Sequence, residues 1–178
     1  MWKWFKYGAA AGVLLFFAGC ADPAREDASG FAAVILAPGE GASIRGTQLG
    51  DALEAVRKRE TFVLTEEGLT HLIYESEVDI NERPAEVSVY YNFDEFGLFE
   101  IQIDIFPEER ADAVLAFDRL KTLLTSLYGA PRKALGGLRF TSYSPSNNVV
   151  EITLTDESAE AGVPFVSLNY LEPLDDEV

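Results

Sequence analysis

Two runs in the middle of the chain alternate apolar and polar residues on either side of a short turn. Their apolar positions are Val87, Val89, Tyr91 and Phe93 in the first run, and Phe99, Ile101, Ile103 and Ile105 in the second. The turn between them, residues 94–97, ends in a glycine. Period-two alternation on both sides of such a turn predicts an antiparallel hairpin with one face in the core and the other face polar.

The segments that follow predict one long helix and further strands. Residues 107–128 carry an apolar stripe at spacings of three and four, and Gly129 ends the predicted helix as its C′ residue. A second hairpin is predicted from strands at 138–143 and 149–155 with the turn 144–148, followed by a last strand at 163–170. A shorter helix is predicted at 51–59, with Asp51 as N-cap and Glu54 completing a capping box.

The order of helix and then strands occurs twice, over residues 51–106 and 107–170, with no sequence repeat beneath it. This order predicts an α+β fold, an antiparallel sheet of hairpins with two helices packed on one face. Residues 31–36 are apolar and fit either a first strand or a short helix, and residues 38–41 predict a turn. We therefore expect a single α+β domain over 31–172 and an acidic C-terminal tail over 173–178.

The net charge of the chain limits the kinds of molecule that it can bind. The chain has 178 residues, a net charge of −16 and a sequence pI near 4.3. Nucleic acid is excluded as a partner, because its phosphates require clusters of Lys and Arg. A basic protein partner would be attracted electrostatically, although the acidity is also explained by solubility alone.

The N-terminus predicts a secretory signal peptide. Lys3 and Lys6 precede the apolar stretch at residues 8–18, which is shorter than the roughly 20 residues that a transmembrane helix needs. A basic start, an apolar segment of this length and then small residues are the pattern of a signal peptide.

The end of that segment, Phe17-Ala18-Gly19-Cys20, resembles the lipobox of bacterial lipoprotein precursors. The resemblance implies a signal peptide at 1–19, cleavage between Gly19 and Cys20, and acylation of Cys20, which would hold the protein on the membrane through its N-terminal lipid. It further implies a cell-envelope location, at the periplasmic face of the outer membrane if the cell has two membranes. Residues 20–30 are then expected to form a lipidated tether. Cleavage would remove Lys3 and Lys6, and the net charge would change from −16 to −18.

The residues offer little catalytic chemistry. One cysteine and one histidine exclude an internal disulfide and a two-histidine zinc site, and the sequence predicts neither a metal site nor a cofactor. A periplasmic hydrolase remains the alternative, using His71, expected in a strand, or the carboxylates of Glu100 and Asp104. No G-x-S-x-G motif accompanies His71, so no catalytic residue is predicted.

A binding function is the leading hypothesis. Glu100, Gln102 and Asp104 share the polar face of their predicted strand, and Tyr90 is expected to be exposed beside them. We interpret these residues as a face for a basic protein partner, in a non-enzymatic envelope-assembly or inhibitor module. The order of elements is similar to that of BamE/SmpA-type lipoproteins and of tandem-repeat β-lactamase inhibitor proteins, although no diagnostic motif is shared.

Overall fold

A computed structural model describes residues 23–37, 44–134, 136–144 and 148–173. For the first of these segments, side chains are described from Gly30 onward. The predicted signal peptide, Cys20, the predicted turn at 38–41 and the tail beyond Pro173 lie outside the described residues. The lipobox and its acylation therefore stay predictions.

One antiparallel sheet of eight strands organises the described residues, in the order β1-β2-β3-β4-β8-β7-β6-β5. The strands are β1 (Val63–Glu67), β2 (His71–Ile80), β3 (Arg83–Asp94), β4 (Gly97–Pro107), β5 (Arg132–Ala134), β6 (Gly137–Tyr143), β7 (Val149–Asp156) and β8 (Val166–Leu171). Each half of the sheet is a meander of consecutive strands, and the two halves meet where β4 pairs with β8. The prediction of an antiparallel sheet in a mixed helix-and-strand fold is confirmed.

Four helices accompany the sheet in the described part of the chain, whereas the sequence predicted two. They are α1 (Pro23–Leu36), α2 (Leu53–Arg59), α3 (Arg110–Tyr128) and α4 (Ser158–Ala161). Helix α1, at the N-terminal end, was not predicted. It shows that residues 31–36, which fitted either a strand or a helix, are helical. It also takes in residues 23–30 of the predicted tether, and the lipid attachment of that tether stays a prediction.

The capping box predicted for α2 is wrong. Ala52 is the N-cap residue, and it makes no side-chain capping bond. Asp51 instead accepts a hydrogen bond from the backbone N–H of Gln48 at 2.9 Å and a second from the Arg59 guanidinium. The Asp51 carboxylate therefore joins the preceding turn to the last residue of α2 and does not cap the first helical turn.

One apolar core joins the helices to the sheet. The strands contribute alternate residues, among them Val87, Val89, Ile101, Ile103 and Ile105, as the period-two pattern predicted. Residues Phe31 and Ile35 of α1, with Leu120 and Leu124 of α3, are completely or almost completely buried against them. In β2, β3, β4 and β8 the residues between the core positions therefore point away from this core.

A hairpin that the sequence analysis did not predict connects β2 to β3. Its two turn residues, Asn81 and Glu82, both have positive φ angles, of 55° and 64°. Such angles at both positions are those of a type I′ turn, which matches the twist of the strands but usually contains glycine. The turn fixes the register in which Ile80 faces Arg83 and His71 faces Asn92.

No helix among residues 23–37, 44–134, 136–144 and 148–173 combines the length and the apolar character that crossing a membrane requires.

Candidate functional site: the polar face of the sheet

The polar face consists of the residues of β2, β3, β4 and β8 that alternate with the core residues. All four predicted site residues lie on it. Gln102 of β4 is the register partner of Tyr90 on β3 and of Asn169 on β8. Glu100 and Asp104 stand two residues to either side of Gln102 on the same strand. The structure thus brings Tyr90, Glu100, Gln102 and Asp104 together at the centre of the sheet.

Glu100 is held by two amide groups rather than by a cation. The Nδ2 of Asn92 donates to Glu100 Oε2 at 2.8 Å, and the Nδ2 of Asn169 donates to Glu100 Oε1 at 2.8 Å. These donors come from the strands on the two sides of β4, so the carboxylate is fixed across three strands. Within the described residues the Oδ1 of Asn169 is buried and has no hydrogen-bond donor.

Asp104 is buried on the same face, with 6% of its surface exposed. The Nε2 of Gln102 donates to both of its carboxylate oxygens, at 3.0 and 2.9 Å, and Ser167 Oγ donates to Oδ1 at 2.7 Å. Burial raises the pKa of the Asp104 carboxyl, the hydrogen bonds from Gln102 and Ser167 oppose that rise, and the charge of Glu157 adds to it. Asp104 is therefore a buried acid without a cation.

The neighbourhood of Asp104 is apolar at one end. The rings of Phe106 and Phe165 stack with centroids 4.8 Å apart and planes 8° apart. Phe106 is two residues beyond Asp104 on β4, and Phe165 is two residues before Ser167, the register partner of Asp104. The polar face therefore changes from carboxylates and amides at its centre to an aromatic stack at one end.

Acidic residues dominate the polar face between β2 and β4. Six of them are Glu75, Glu77, Asp79, Glu86, Glu100 and Asp104. The only cation in these three strands is Arg83, which pairs instead with Glu109 and Asp112 of the α3 region. Among the described residues, none of the six carboxylates forms a salt bridge.

His71 contacts a carboxylate rather than a nucleophilic side chain in the described part of the chain. Its Nε2 lies 3.0 Å from Glu66 Oε1, and both side chains are partly exposed at the beginning of β2 and the end of β1. Its register partner on β3 is Asn92. The predicted strand location is confirmed, while the described contacts of the imidazole do not include a serine hydroxyl.

The two carboxylates of the alternative hydrolase are widely spaced. Glu100 and Asp104 are four residues apart on β4, which corresponds to about 13 Å between Cα atoms at the usual strand rise. Glycosidase carboxylates are about 5–9.5 Å apart. This spacing, with both groups engaged by amide or hydroxyl donors, does not favour a glycosidase pair.

A second cluster of buried charge lies on the core side, and the sequence analysis did not predict it. Arg45 Nε and Nη2 each donate to a Glu60 carboxylate oxygen at 2.6 Å, forming a bidentate pair. Arg45 Nη1 donates to the backbone oxygens of Val34 and Ile35 at 2.9 and 3.0 Å, where α1 ends. The side chains are almost fully inaccessible, at 3% exposure for Arg45 and 0% for Glu60.

Further contacts complete this cluster. The Tyr91 hydroxyl donates to Glu60, and the Arg45 guanidinium lies 3.8 Å from the centroid of the Phe62 ring. Burial by itself would raise the pKa of Glu60, but the hydrogen bonds and charge of Arg45, with the Tyr91 hydroxyl and the Phe62 N–H, hold it at about 2. Every one of these groups is satisfied internally, so the cluster joins α1, α2 and β3 and has no free group for a ligand.

Among residues 23–37, 44–134, 136–144 and 148–173, no group of three or more His, Cys, Asp or Glu side chains is placed to hold a metal ion.

No family model matches the chain, and comparisons with curated proteins and with solved structures found no match. The chemistry of the polar face itself is therefore the basis for a function.

Proposed function

We propose that this protein is a non-enzymatic, lipid-anchored component of the bacterial cell envelope, whose polar face binds a basic protein partner. The lipid on Cys20 would hold the domain at the membrane, at the periplasmic face of the outer membrane in a cell with two membranes. The observation that supports binding most strongly is the set of carboxylates on β2, β3 and β4, which no described cation neutralises.

The fixed geometry of Glu100 supports the same proposal. Its carboxylate is already oriented by Asn92 and Asn169, so binding a partner would cost little side-chain entropy. A basic surface would therefore meet a carboxylate that is already oriented, and it would balance its charge.

Partner capture by charge variants tests the binding proposal. The full chain serves as bait, and Glu86→Gln with Glu100→Gln removes two charges from the polar face. Exposed ion pairs contribute modestly to binding free energy, so we expect about a three- to tenfold loss of partner capture. Because salt screens such pairs, the wild type should also capture less partner at high salt. The matched control is Glu108→Gln with Asp118→Asn, which also removes two charges. Glu108 lies in the connection before α3 and Asp118 lies on α3. This control should capture the partner as well as the wild type does. Equal losses in both pairs would contradict the proposal.

The anchor has a separate test. Cells are grown with a palmitate analogue that can be detected by a chemical tag, and the labelling of the wild type is compared with that of Cys20→Ser. We expect a labelled wild type and an unlabelled variant, since the sulfur is the acyl acceptor. Label that persists in Cys20→Ser, or a wild type without label, would overturn the anchor and leave the binding proposal standing.

A further inference from the structure

The sheet has a step at its β1 edge, because the edge strand β1 is shorter than its neighbour β2 and covers only part of it. Strand β1 pairs with β2 only from Leu72 to Glu75, because β1 begins at Val63 opposite Glu75. The rest of β2, from Ser76 to Ile80, has β3 on one side and no strand of the described chain on the other. Five residues of strand edge are thus free to pair in line with β1.

The backbone groups along this step point outward at alternate residues. In a two-residue hairpin the flanking residues, here Ile80 and Arg83, exchange both backbone hydrogen bonds. Hydrogen-bonded and non-hydrogen-bonded pairs alternate along the ladder, so the N–H and C=O of Ser76 and Val78 also point toward β3. The N–H and C=O of Glu77 and Asp79 are therefore directed to the open side, where an added strand would bind them.

An acidic groove borders the step on the polar face. It has a volume of about 380 Å³ and is lined in part by Val63, Glu75, Glu77 and Glu86. Glu77 and Glu86 are register partners in a non-hydrogen-bonded pair, where Cα atoms are only about 4.5 Å apart. Like charges directly opposite each other destabilise a sheet, so the groove favours positive charge.

We infer that an extended basic segment of a partner protein adds to the sheet as a strand beside Ser76–Ile80. Its alternate Lys or Arg side chains enter the groove against Glu77 and Glu86. The side chains between them face the core side of the edge, where Leu64 and Val78 lie. The inference deepens the proposed function and rests on it, since it specifies where and in what conformation the basic partner binds.

The opposite edge of the sheet selects against the same segment. Strand β5 has only three residues, Arg132–Ala134, and two of them are basic. A short edge with positive charge resists strand addition and repels a basic segment. Of the two outer edges of the sheet, only the one at β1 and β2 combines open backbone groups with negative charge.

Three synthetic peptides of about seven residues, a usual strand length, test the inference with the full chain. The first alternates lysine and valine, the second has the same sequence with N-methyl groups on alternate backbone nitrogens, and the third alternates glutamate and valine. We expect the first to bind, the second to bind about tenfold more weakly because it cannot complete the ladder, and the third not to bind.

The outcomes separate strand addition from attraction by charge. Equal binding of the plain and N-methylated peptides would overturn strand addition while leaving the acidic face as a binding surface. Equal binding of the lysine and glutamate peptides would overturn both the inference and the proposed basic partner.

Two variants of one residue locate the peptide. Asp79→Pro removes the outward N–H, whereas Asp79→Asn removes the same charge and keeps that N–H. Because the Asp79 N–H points away from β3, proline is expected to leave the β2–β3 ladder intact, and thermal unfolding checks this. We expect Asp79→Pro to bind the lysine peptide about five- to tenfold more weakly than Asp79→Asn. Equal affinities in two folded variants would contradict the site.

Sedimentation of the protein without peptide distinguishes a second copy of the chain as the occupant. The inference predicts the same mass for the wild type and Asp79→Pro. A wild-type dimer that Asp79→Pro dissociates would mean that the edge pairs with itself, and it would overturn a basic partner at this site.

Discussion

Two buried carboxylates in this protein have opposite surroundings. Glu60 lies on the core side, in a bidentate pair with Arg45, and its pKa is held at about 2. Asp104 lies on the polar face with only amide and hydroxyl donors, and burial raises its pKa. Burial of an acid does not by itself identify a functional group. The cation beside Glu60 makes it part of the framework, whereas no cation among the described residues pairs with Asp104.

The largest effect is expected from removing the cation of the core-side cluster. Arg45→Met would leave Glu60 buried without its partner, and breaking a buried ion pair in this way costs about 3–5 kcal/mol. Urea unfolding measures the loss. The control is Arg59→Met, whose partner Asp51 is a more exposed residue and whose replacement should cost less than about 1 kcal/mol. Equal losses in the two variants would refute the framework role of Arg45.

Acid should destabilise the protein through Glu60. A carboxyl whose pKa is lower in the folded state stabilises the fold above the pKa of the unfolded residue, and that contribution is lost as the pH falls. For Glu60 the window runs from the ordinary glutamate pKa of 4.5 down to the folded-state pKa of about 2. The free energy of unfolding, measured across this window, should fall in the wild type and fall less in Arg45→Met. Parallel pH profiles would show that Arg45 does not hold the Glu60 pKa down.

Removal of the tyrosine hydroxyl should have an intermediate effect. Tyr91→Phe deletes the bond from the hydroxyl to Glu60 but keeps the ring that packs edge-on against Tyr74. Hydrogen bonds to charged groups contribute about 1.5–3 kcal/mol. Thermal unfolding should report a loss in that range, and a variant as stable as the wild type would show that the hydroxyl is dispensable.

The smallest expected change in the free energy of unfolding is an increase, whereas the variants above lower it. A carboxyl with a raised folded pKa destabilises the fold once the pH exceeds its unfolded value, and the cost reaches its full size above the folded pKa. Asp104→Asn removes this cost but places an amide NH₂ where Gln102 donates, so we expect only a small net stabilisation at neutral pH. The advantage over the wild type, followed by urea unfolding, should disappear in acid. A destabilised Asp104→Asn would remove the contrast between the two carboxylates.

The sequence predicted the parts of the fold that depend on local pattern. The β3–β4 and β6–β7 hairpins occur where periodicity placed them. Helix α3 ends before Gly129 as predicted, but its predicted start is wrong, because Pro107 ends β4 and the helix begins at Arg110. The β2–β3 hairpin was missed because Asn81-Glu82 contains no glycine, although both residues adopt positive φ. Strand β1 was missed because all five of its residues are exposed, so it has no alternation of buried and exposed positions.

The site was predicted only within the β3–β4 hairpin. Alternation on β4 placed Glu100, Gln102 and Asp104 on one face, and the structure agrees. Their partners Ser167 and Asn169 lie more than sixty residues later in the chain, on a strand whose register with β4 no local pattern specifies. For the same reason the pairing of Arg45 with Glu60 and Tyr91, which joins three separate elements, could not be predicted.

Photocrosslinking in intact cells tests the central claim, that the polar face binds a basic protein, most directly. A photoreactive phenylalanine analogue replaces Tyr90, at the centre of the polar face, or Val114, which is 46% exposed on α3. We expect a crosslink to a basic protein from position 90 and none to that protein from position 114. A partner that crosslinks from position 114 and not from position 90 would contradict it.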